Sequence, residues 1–144
     1  METPKSLIKK VATAKKIKEL TKEIKINSAY TQLLTEVFWP HIAAVFEKYN
    51  NKNDQKVALL GFVKGFEASL RRNHNQDNYY SGYSQQEMKL CVEVAVNKPE
   101  HLDSIIKLME EKTLSNSEVY TLAKNLGIEE YLINHMKNEK NYFC

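Results

Sequence analysis

The stretch SQQEMKLCVEVAV, residues 84–96, decides the fold of this chain. Ser84 followed three residues later by Glu87 is a capping box, in which each side chain accepts a hydrogen bond from the other residue's backbone N–H at the start of a helix. The rest of the stretch is apolar on nearly every side, and a helix that is apolar all round belongs in a protein interior. We therefore expect a central helix over residues 85–97, surrounded by other helices.

Upstream of this helix, apolar residues recur every three or four positions, which is the spacing of amphipathic helices. The spacing predicts three helices, at about residues 5–26, 29–50 and 55–72. Ser28 is a candidate N-cap for the second of them. Pro40 removes a backbone donor and clashes with the preceding turn, so we expect a kink or a break in that helix near Trp39.

Two features of the flanking helices concern packing. The first helix has an apolar stripe among its lysines, made of Leu7, Val11, Ala14, Ile17, Leu20 and Ile24. The third helix has a ridge of small residues, Gly61, Gly65 and Ala68, which predicts that a neighbouring helix approaches it closely.

Downstream of the central helix, the sequence predicts two or three more helices. Pro99 fits the first turn of one with a clear apolar stripe. Ser115 and Glu118 form a second capping box, and the helix that it starts should end at Gly127. A last helix is expected over residues 128–140.

The 144 residues have the length and the apolar fraction of one globular domain. We expect an all-α, compact single-domain bundle of about six to seven helices over residues 1–144, with a basic amphipathic helix at 5–26 and a helical body at 28–144. No run approaches about 18 apolar residues, so no transmembrane helix is predicted. The first helix also lacks the uninterrupted apolar core of a signal peptide. A buried thiol at Cys91 and a terminal one at Cys144 favour a reducing compartment, and we expect a cytoplasmic location.

No motif with a catalytic or cofactor-binding mechanism is present. The sequence has neither GxxxxGKS/T nor GxGxxG, and its 4 glycines are too few for the usual phosphate-cradling loop. The histidines belong to no metal-ligand pattern, and Cys91 lies in the most apolar helix, where a thiol is a poor nucleophile. We therefore predict no catalytic, cofactor-binding or metal-binding residues, no cofactor and no enzymatic activity.

The net charge of +3 is placed unevenly along the chain. Residues 1–25 hold 8 lysines and 3 glutamates, or 8 − 3 = +5, and the remainder holds 13 basic and 15 acidic residues, or 13 − 15 = −2. Three interpretations of the lysine-rich helix stay open: a solvated helix packed on the core, a phosphate-binding footprint for nucleic acid, or a membrane-surface or targeting helix. The lysines that the nucleic-acid interpretation uses are Lys9, Lys10, Lys15 and Lys16.

The segment NHNQDNYYSGY, residues 73–83, follows the only two arginines of the chain. Its mixture of tyrosine with Asn, Gln, Ser and Gly is typical of binding loops, because tyrosine gives a large contact area at a low cost in conformational entropy. Two alternatives are that the tyrosines stack on unpaired bases or that they cover the edge of the core. The candidate partner-binding residues are Arg71, Arg72, Tyr79, Tyr80 and Tyr83.

The C-terminal stretch VYTLAKNLGIEEYLINHMKN, residues 119–138, resembles the twenty-residue core of helix-turn-helix DNA-binding proteins. It has the small residue that this family places at the helix crossing (Ala123) and the glycine of the turn (Gly127). The apolar places of the family pattern are filled by Leu122, Leu126, Ile128, Ile133 and Met136.

The resemblance covers 20 of 144 residues and implies DNA contacts from the second helix, at Asn134, His135 and Lys137. The sequence departs from the pattern at Glu129 and Glu130, because two carboxylates begin the helix that should meet phosphates. A plain helical hairpin with a glycine stop has the same spacing.

Taken together, these patterns predict a non-enzymatic intracellular regulatory protein that binds a macromolecular partner. A protein partner is the first hypothesis, with the chain acting as an adaptor or inhibitor through the tyrosine segment and an exposed helix face. The alternative is a nucleic-acid-binding protein that uses the lysine-rich helix and the C-terminal hairpin.

Overall fold

A computed structural model describes residues 4–75 and 83–133 of the 144. Within these two ranges the chain forms seven α-helices and one short 3-10 helix, and no β-strand. The α-helices are α1 (Pro4–Glu23), α2 (Ser28–Glu36), α3 (Trp39–Lys48), α4 (Lys52–Asn75), α5 (Gln85–Asn97), α6 (Leu102–Glu111) and α7 (Asn116–Asn125), and the 3-10 helix is Pro99–His101. Residues 129–133 are also helical. The predicted all-α bundle is confirmed.

Helix α5 is the centre of the bundle, as its sequence predicts. Every residue from Glu87 to Ala95 is buried. Its capping box forms both hydrogen bonds, from the Glu87 backbone N–H to Ser84 Oγ and from the Ser84 backbone N–H to Glu87 Oε1. The helix packs against α4, α6 and α7, and its packing against α4 is the most extensive in the structure.

The close approach of α4 to α5 depends on the predicted ridge of small residues. A Cβ atom added at Gly61 would lie 2.5 Å from Ala95 Cβ and 2.9 Å from the Cys91 carbonyl oxygen. One added at Gly65 would lie 2.6 Å from Cys91 Sγ. Since real Cβ atoms do not come this near to other heavy atoms, only glycine fits at either position, and the prediction of close packing is confirmed.

The long second helix of the prediction is broken in two, at the place that the proline indicates. Helix α2 ends at Glu36, and α3 begins with Trp39 and Pro40 in its first turn. The expected N-cap at Ser28 is wrong by one residue. The side chain of Asn27 accepts the hydrogen bond from the backbone N–H of Ala29, and Ser28 is the first helical residue.

Two apolar clusters meet at α5. One joins α5 to α6, α7 and the helical residues 129–133, with Leu90, Val94, Ile105, Met109, Val119 and Leu132 among its buried members. The other joins α5 to α1 through α4, with Ile17, Leu34, Ile42, Leu59, Phe62 and Val92 among its buried members. The buried apolar residues of α1, Ile17 and Leu20, belong to the second cluster.

Candidate interaction surface

The two arginines before the tyrosine segment have opposite environments. Arg71 is exposed, and its guanidinium donates to Glu110 Oε1 from Nη2 at 2.8 Å. The Arg72 side chain is 0% exposed, and its Nη1 donates to Glu87 Oε2 at 3.0 Å and to the Met109 carbonyl at 2.9 Å. The predicted partner contact by Arg72 is therefore wrong, because its side chain forms an ion pair inside the bundle.

Tyr83 covers the core, as one of the alternatives for the tyrosines expects. Its ring packs edge-on against Phe62 with 5.5 Å between centroids, and its hydroxyl donates to the Phe62 carbonyl at 3.0 Å. Burial raises its pKa well above the ordinary value. Tyr79 and Tyr80 lie outside the described residues. Of the other three predicted partner-binding residues, Arg71 lies at the surface.

The four lysines of the nucleic-acid hypothesis do not form one patch. Lys9 forms an ion pair with Glu47 of α3 at 3.0 Å. Lys16 Nζ lies 5.3 Å from the centroid of the Phe46 ring, which also belongs to α3. Lys10 is half-buried, and Lys15 is exposed on the opposite side of α1. The other predicted contacts, Asn134, His135 and Lys137, lie outside the described residues.

The apolar stripe predicted on α1 reaches the core only in its second half. The buried residues of α1 are Thr13, Ile17, Leu20 and Thr21. Leu7 is 50% exposed and Val11 is 63% exposed, and the neighbouring Ile8 is 71% exposed. The first two turns of α1 therefore present three aliphatic side chains to solvent.

These three side chains share one side of α1 with three lysines. We call this side the outer face of α1, made of Leu7, Ile8, Val11, Lys15, Lys18 and Lys22. At 3.6 residues per turn and 1.5 Å per residue, the six positions fall within an arc of about 100° and a length of about 22 Å. The side is divided along the helix axis into an apolar first half and a cationic second half. The exposed Glu19 lies about 20° beyond the edge of this arc.

The cations of the outer face are not neutralised within the bundle. Across residues 4–75 and 83–133, no ion pair joins Lys15, Lys18 or Lys22 to a carboxylate. The nearby Glu23 instead binds two lysines of α4, Lys52 at 2.9 Å and Lys56 at 3.5 Å. The positive charge of Lys15, Lys18 and Lys22 therefore lies at the surface.

A groove between α1 and α2 extends the cationic half sideways. It has a volume of about 450 Å³ and includes Lys18 and Lys22 in its wall. The hydroxyls of Thr21 and Thr35, which also line it, donate to carbonyls of their own helices, at 3.3 Å and 3.1 Å. Their oxygens are thus left as acceptors. The charged side chains of the wall are Lys18, Lys22 and Glu36, so the groove carries a small positive charge.

A buried polar cluster ties the end of the described chain to the core, and the sequence analysis missed it. Glu93 accepts hydrogen bonds from Lys48 Nζ at 2.5 Å and from the Tyr49 hydroxyl at 2.5 Å. Lys48 also donates to the Tyr131 carbonyl at 2.6 Å. Burial lowers the pKa of Lys48 against the opposing effect of the Glu93 carboxylate, and burial with that carboxylate raises the pKa of Tyr49. These groups satisfy one another, which indicates a structural role.

Cys91 is a free, buried thiol whose pKa burial raises to about 12, so it carries almost no thiolate at neutral pH. Within residues 4–75 and 83–133, no three His, Cys, Asp or Glu side chains gather in a way that could hold a metal ion.

The C-terminal hairpin has a glycine turn but not the burial pattern that the helix-turn-helix resemblance implies. Gly127 has φ +75°, and the Ile128 N–H donates to the Ala123 carbonyl at 2.8 Å, so the glycine stop is confirmed. However, Leu132 is fully buried and Ile133 is exposed, the reverse of the order in the family pattern. Within residues 129–133, the burial therefore does not follow the family pattern.

Comparison with known proteins finds no matching family model, no matching curated protein and no matching solved structure. No helix in the described ranges is long and apolar enough to span a bilayer. The outer face of α1 therefore stands as the candidate site on the strength of this chain's own residues.

Proposed function

We propose that this protein is a non-enzymatic regulatory protein that binds another protein through the outer face of α1, as an adaptor or an inhibitor. One observation carries the proposal. Leu7, Ile8 and Val11 lie exposed beside one another on a helix whose opposite side is anchored to the bundle. Neighbouring exposed apolar side chains next to charged residues mark interaction surfaces, whereas single ones are ordinary.

The energetics support a binding role for this cluster. Fully burying one exposed Val, Leu or Ile side chain is worth about 1.5–3 kcal/mol. Because Leu7, Ile8 and Val11 are 50%, 71% and 63% exposed, each would contribute about 1–2 kcal/mol to the apolar centre of a modest interface. The bundle itself gains nothing from exposing them. The free thiol of Cys91 fits a reducing compartment, and we propose a cytoplasmic location on that basis.

The nucleic-acid alternative has less support. Lys9 and Lys16 are engaged with α3, and a phosphate backbone would leave Leu7, Ile8 and Val11 without a role. Lys15 is exposed and would remain a phosphate contact under that alternative. Binding of mixed-sequence duplex or single-stranded nucleic acid at low salt, weakening steeply as salt rises, would favour this alternative over the protein partner.

The proposal is tested by affinity enrichment with quantitative mass spectrometry, using three forms of the chain. They are the wild type, the face variant L7S/I8S/V11S, and a control variant V37S/L60S/L70S that removes exposed apolar side chains elsewhere. We expect the same partner with the wild type and the control, and its loss with the face variant. An unchanged set of enriched proteins across all three forms would exclude α1 as the binding surface.

A further inference from the structure

We infer that the partner presents an acidic amphipathic helix, which lies antiparallel along the outer face of α1 with its acidic half over Lys15, Lys18 and Lys22. The inference rests on the proposed function and names the chemistry of the partner. It follows from the division of the face into two halves, from the unneutralised lysines and from the direction of the α1 dipole.

The apolar half of the outer face would be complemented by aliphatic side chains at helical spacing on the partner. Leu7 and Val11 are four residues apart and Ile8 lies beside them, so they form a small ridge that is little more than one helical turn long. A partner helix fills such a ridge with residues at i, i+3 and i+4, which is how amphipathic helices dock on apolar surfaces.

The cationic half of the outer face would be complemented by carboxylates on the partner. Lys15, Lys18 and Lys22 are spaced by three and four residues, so acidic residues with the same spacing on a facing helix would meet all three. Because no carboxylate in the described ranges pairs with them, a partner forms these ion pairs without breaking existing ones. Lys18 and Lys22 also border the α1–α2 groove, which has Glu36 in its wall on the α2 side.

The helix dipoles set the direction. An antiparallel partner places its N-terminal turns beside Lys22, near the C-terminal end of α1. Acidic residues are most stabilising in the first turns of their own helix. An acidic N-terminal half followed by an apolar C-terminal half is therefore favoured both within the partner and across the interface.

A second copy of this chain does not fit the same surface. In parallel pairing, Lys15, Lys18 and Lys22 of one α1 would oppose the same lysines of the other. In antiparallel pairing, the lysines of each copy would lie over the apolar half of its neighbour. Either arrangement leaves charge unpaired, so the two-part face disfavours self-association.

An anionic membrane fits less well than a helix. A helix that lies in a bilayer interface needs an apolar stripe along its whole length, with cations at the margins. On α1, Lys15, Lys18 and Lys22 occupy the same arc as the apolar residues, so half of the helix would turn lysines toward the acyl chains.

The experiment selects binders from a surface-displayed library of randomised helices about 18 residues long, enough to cover the face at 1.5 Å per residue. The target is the full chain, and two matched variants follow the selection. K15E/K18E reverses two charges on the outer face, and K107E/K124E reverses two exposed charges on α6 and α7. Thermal unfolding first verifies that both variants fold.

We expect the enriched helices to carry Asp or Glu in their N-terminal half and aliphatic residues in their C-terminal half. Their affinity should fall about tenfold or more with K15E/K18E and stay unchanged with K107E/K124E. The inference is overturned if no such pattern is enriched, or if both variants bind equally. It is also overturned if phosphatidylserine vesicles bind the chain, with the same loss in K15E/K18E, while selected helices do not.

These outcomes separate the inference from the proposed function. If the face variant L7S/I8S/V11S loses its cellular partner but the library yields no acidic helices, the surface is right and the chemistry of the partner is wrong. If the face variant keeps its partner, the proposed function itself fails.

Discussion

The charged residues of α1 and α5 lie in opposite environments. In α5 the carboxylates of Glu87 and Glu93 are buried, and each is bound to a cation from another helix, Arg72 of α4 and Lys48 of α3. In α1 the lysines of the outer face lie in solvent beside exposed aliphatic side chains. The charges of α5 therefore help to determine which helices pack together, whereas the outer-face lysines of α1 are accessible from outside the bundle.

The buried Arg72–Glu87 pair should give the largest effect on stability. In the variant Glu87→Gln, the Arg72 guanidinium stays buried without its countercharge, and we expect the free energy of unfolding to fall by about 3–5 kcal/mol. Urea unfolding measures it. The exposed Arg71–Glu110 pair provides the control, because Glu110→Gln should change the free energy by less than about 1 kcal/mol. Equal effects of the two substitutions would show that burial of the pair is not what matters.

The close packing of α5 against α4 should be nearly as sensitive. In Gly61→Ala the new methyl group would meet Ala95 Cβ and the Cys91 carbonyl, which is backbone and cannot turn away. We expect a loss of about 1–3 kcal/mol by thermal unfolding, although alanine favours helix more than glycine does. A variant as stable as the wild type would mean that the two helices can separate without cost.

Tyr49, whose hydroxyl binds the buried Glu93 of the Lys48–Glu93 pair, should make stability depend on alkaline pH. Its raised pKa means that the folded state holds the phenol proton more tightly than the unfolded chain, so its stabilising contribution is lost as pH rises above about 10. Tyr49→Phe should therefore flatten the decline in stability between about pH 9 and pH 11, measured by urea unfolding across that range. It should also cost about 1.5–3 kcal/mol at pH 7, from the lost hydrogen bond to Glu93. An unchanged alkaline slope would contradict this role.

At the surface, the second capping box should give a smaller, acid-side effect. The Lys112 ammonium, with the backbone N–H and hydroxyl of Ser115, lowers the pKa of Glu118 to about 2. A depressed pKa gives stability that is present above the ordinary value and is lost as pH falls from there toward 2. Glu118→Gln should therefore remove part of the acid-induced decline between about pH 4.5 and pH 2, which circular dichroism during acid titration follows. An identical acid transition in the variant and the wild type would show that the box contributes nothing.

The smallest effect on stability is expected at the outer face of α1. Replacing Leu7, Ile8 and Val11 with serine removes side chains that are at least half exposed, so the free energy of unfolding should change by less than about 0.5 kcal/mol per substitution. If the free energy of unfolding fell by several kcal/mol, these residues would be stabilising the bundle and would not be a surface for a partner.

Local signals in the sequence were enough to predict the helices but not to predict which surfaces of the helices meet. The capping boxes at Ser84 and Ser115 and the stop at Gly127 each involve a few adjacent residues, so the sequence alone predicts them. The meeting of Arg72 with Glu87 depends on how α4 packs on α5, and no periodicity encodes that. Sequence analysis therefore placed Arg72 at the surface when it lies inside.

The same reason explains why the outer face of α1 was missed. Periodicity shows that Leu7 and Val11 share a stripe with Ile17, but it does not show that the other helices fully bury residues of α1 only from Thr13 onward. The lysines that bind α3, Lys9 and Lys16, look the same in the sequence as Lys15, which does not. Which lysines are neutralised is decided by neighbours from distant parts of the chain.

We propose that α1 binds the partner protein while α5 stabilises the bundle, and one paired measurement tests this division most directly. Partner enrichment and urea unfolding are measured together for the wild type and for L7S/I8S/V11S. The account predicts that the variant loses the partner and unfolds at nearly the same urea concentration as the wild type. A variant that keeps the partner, or that loses it only because it is unfolded, would contradict the account.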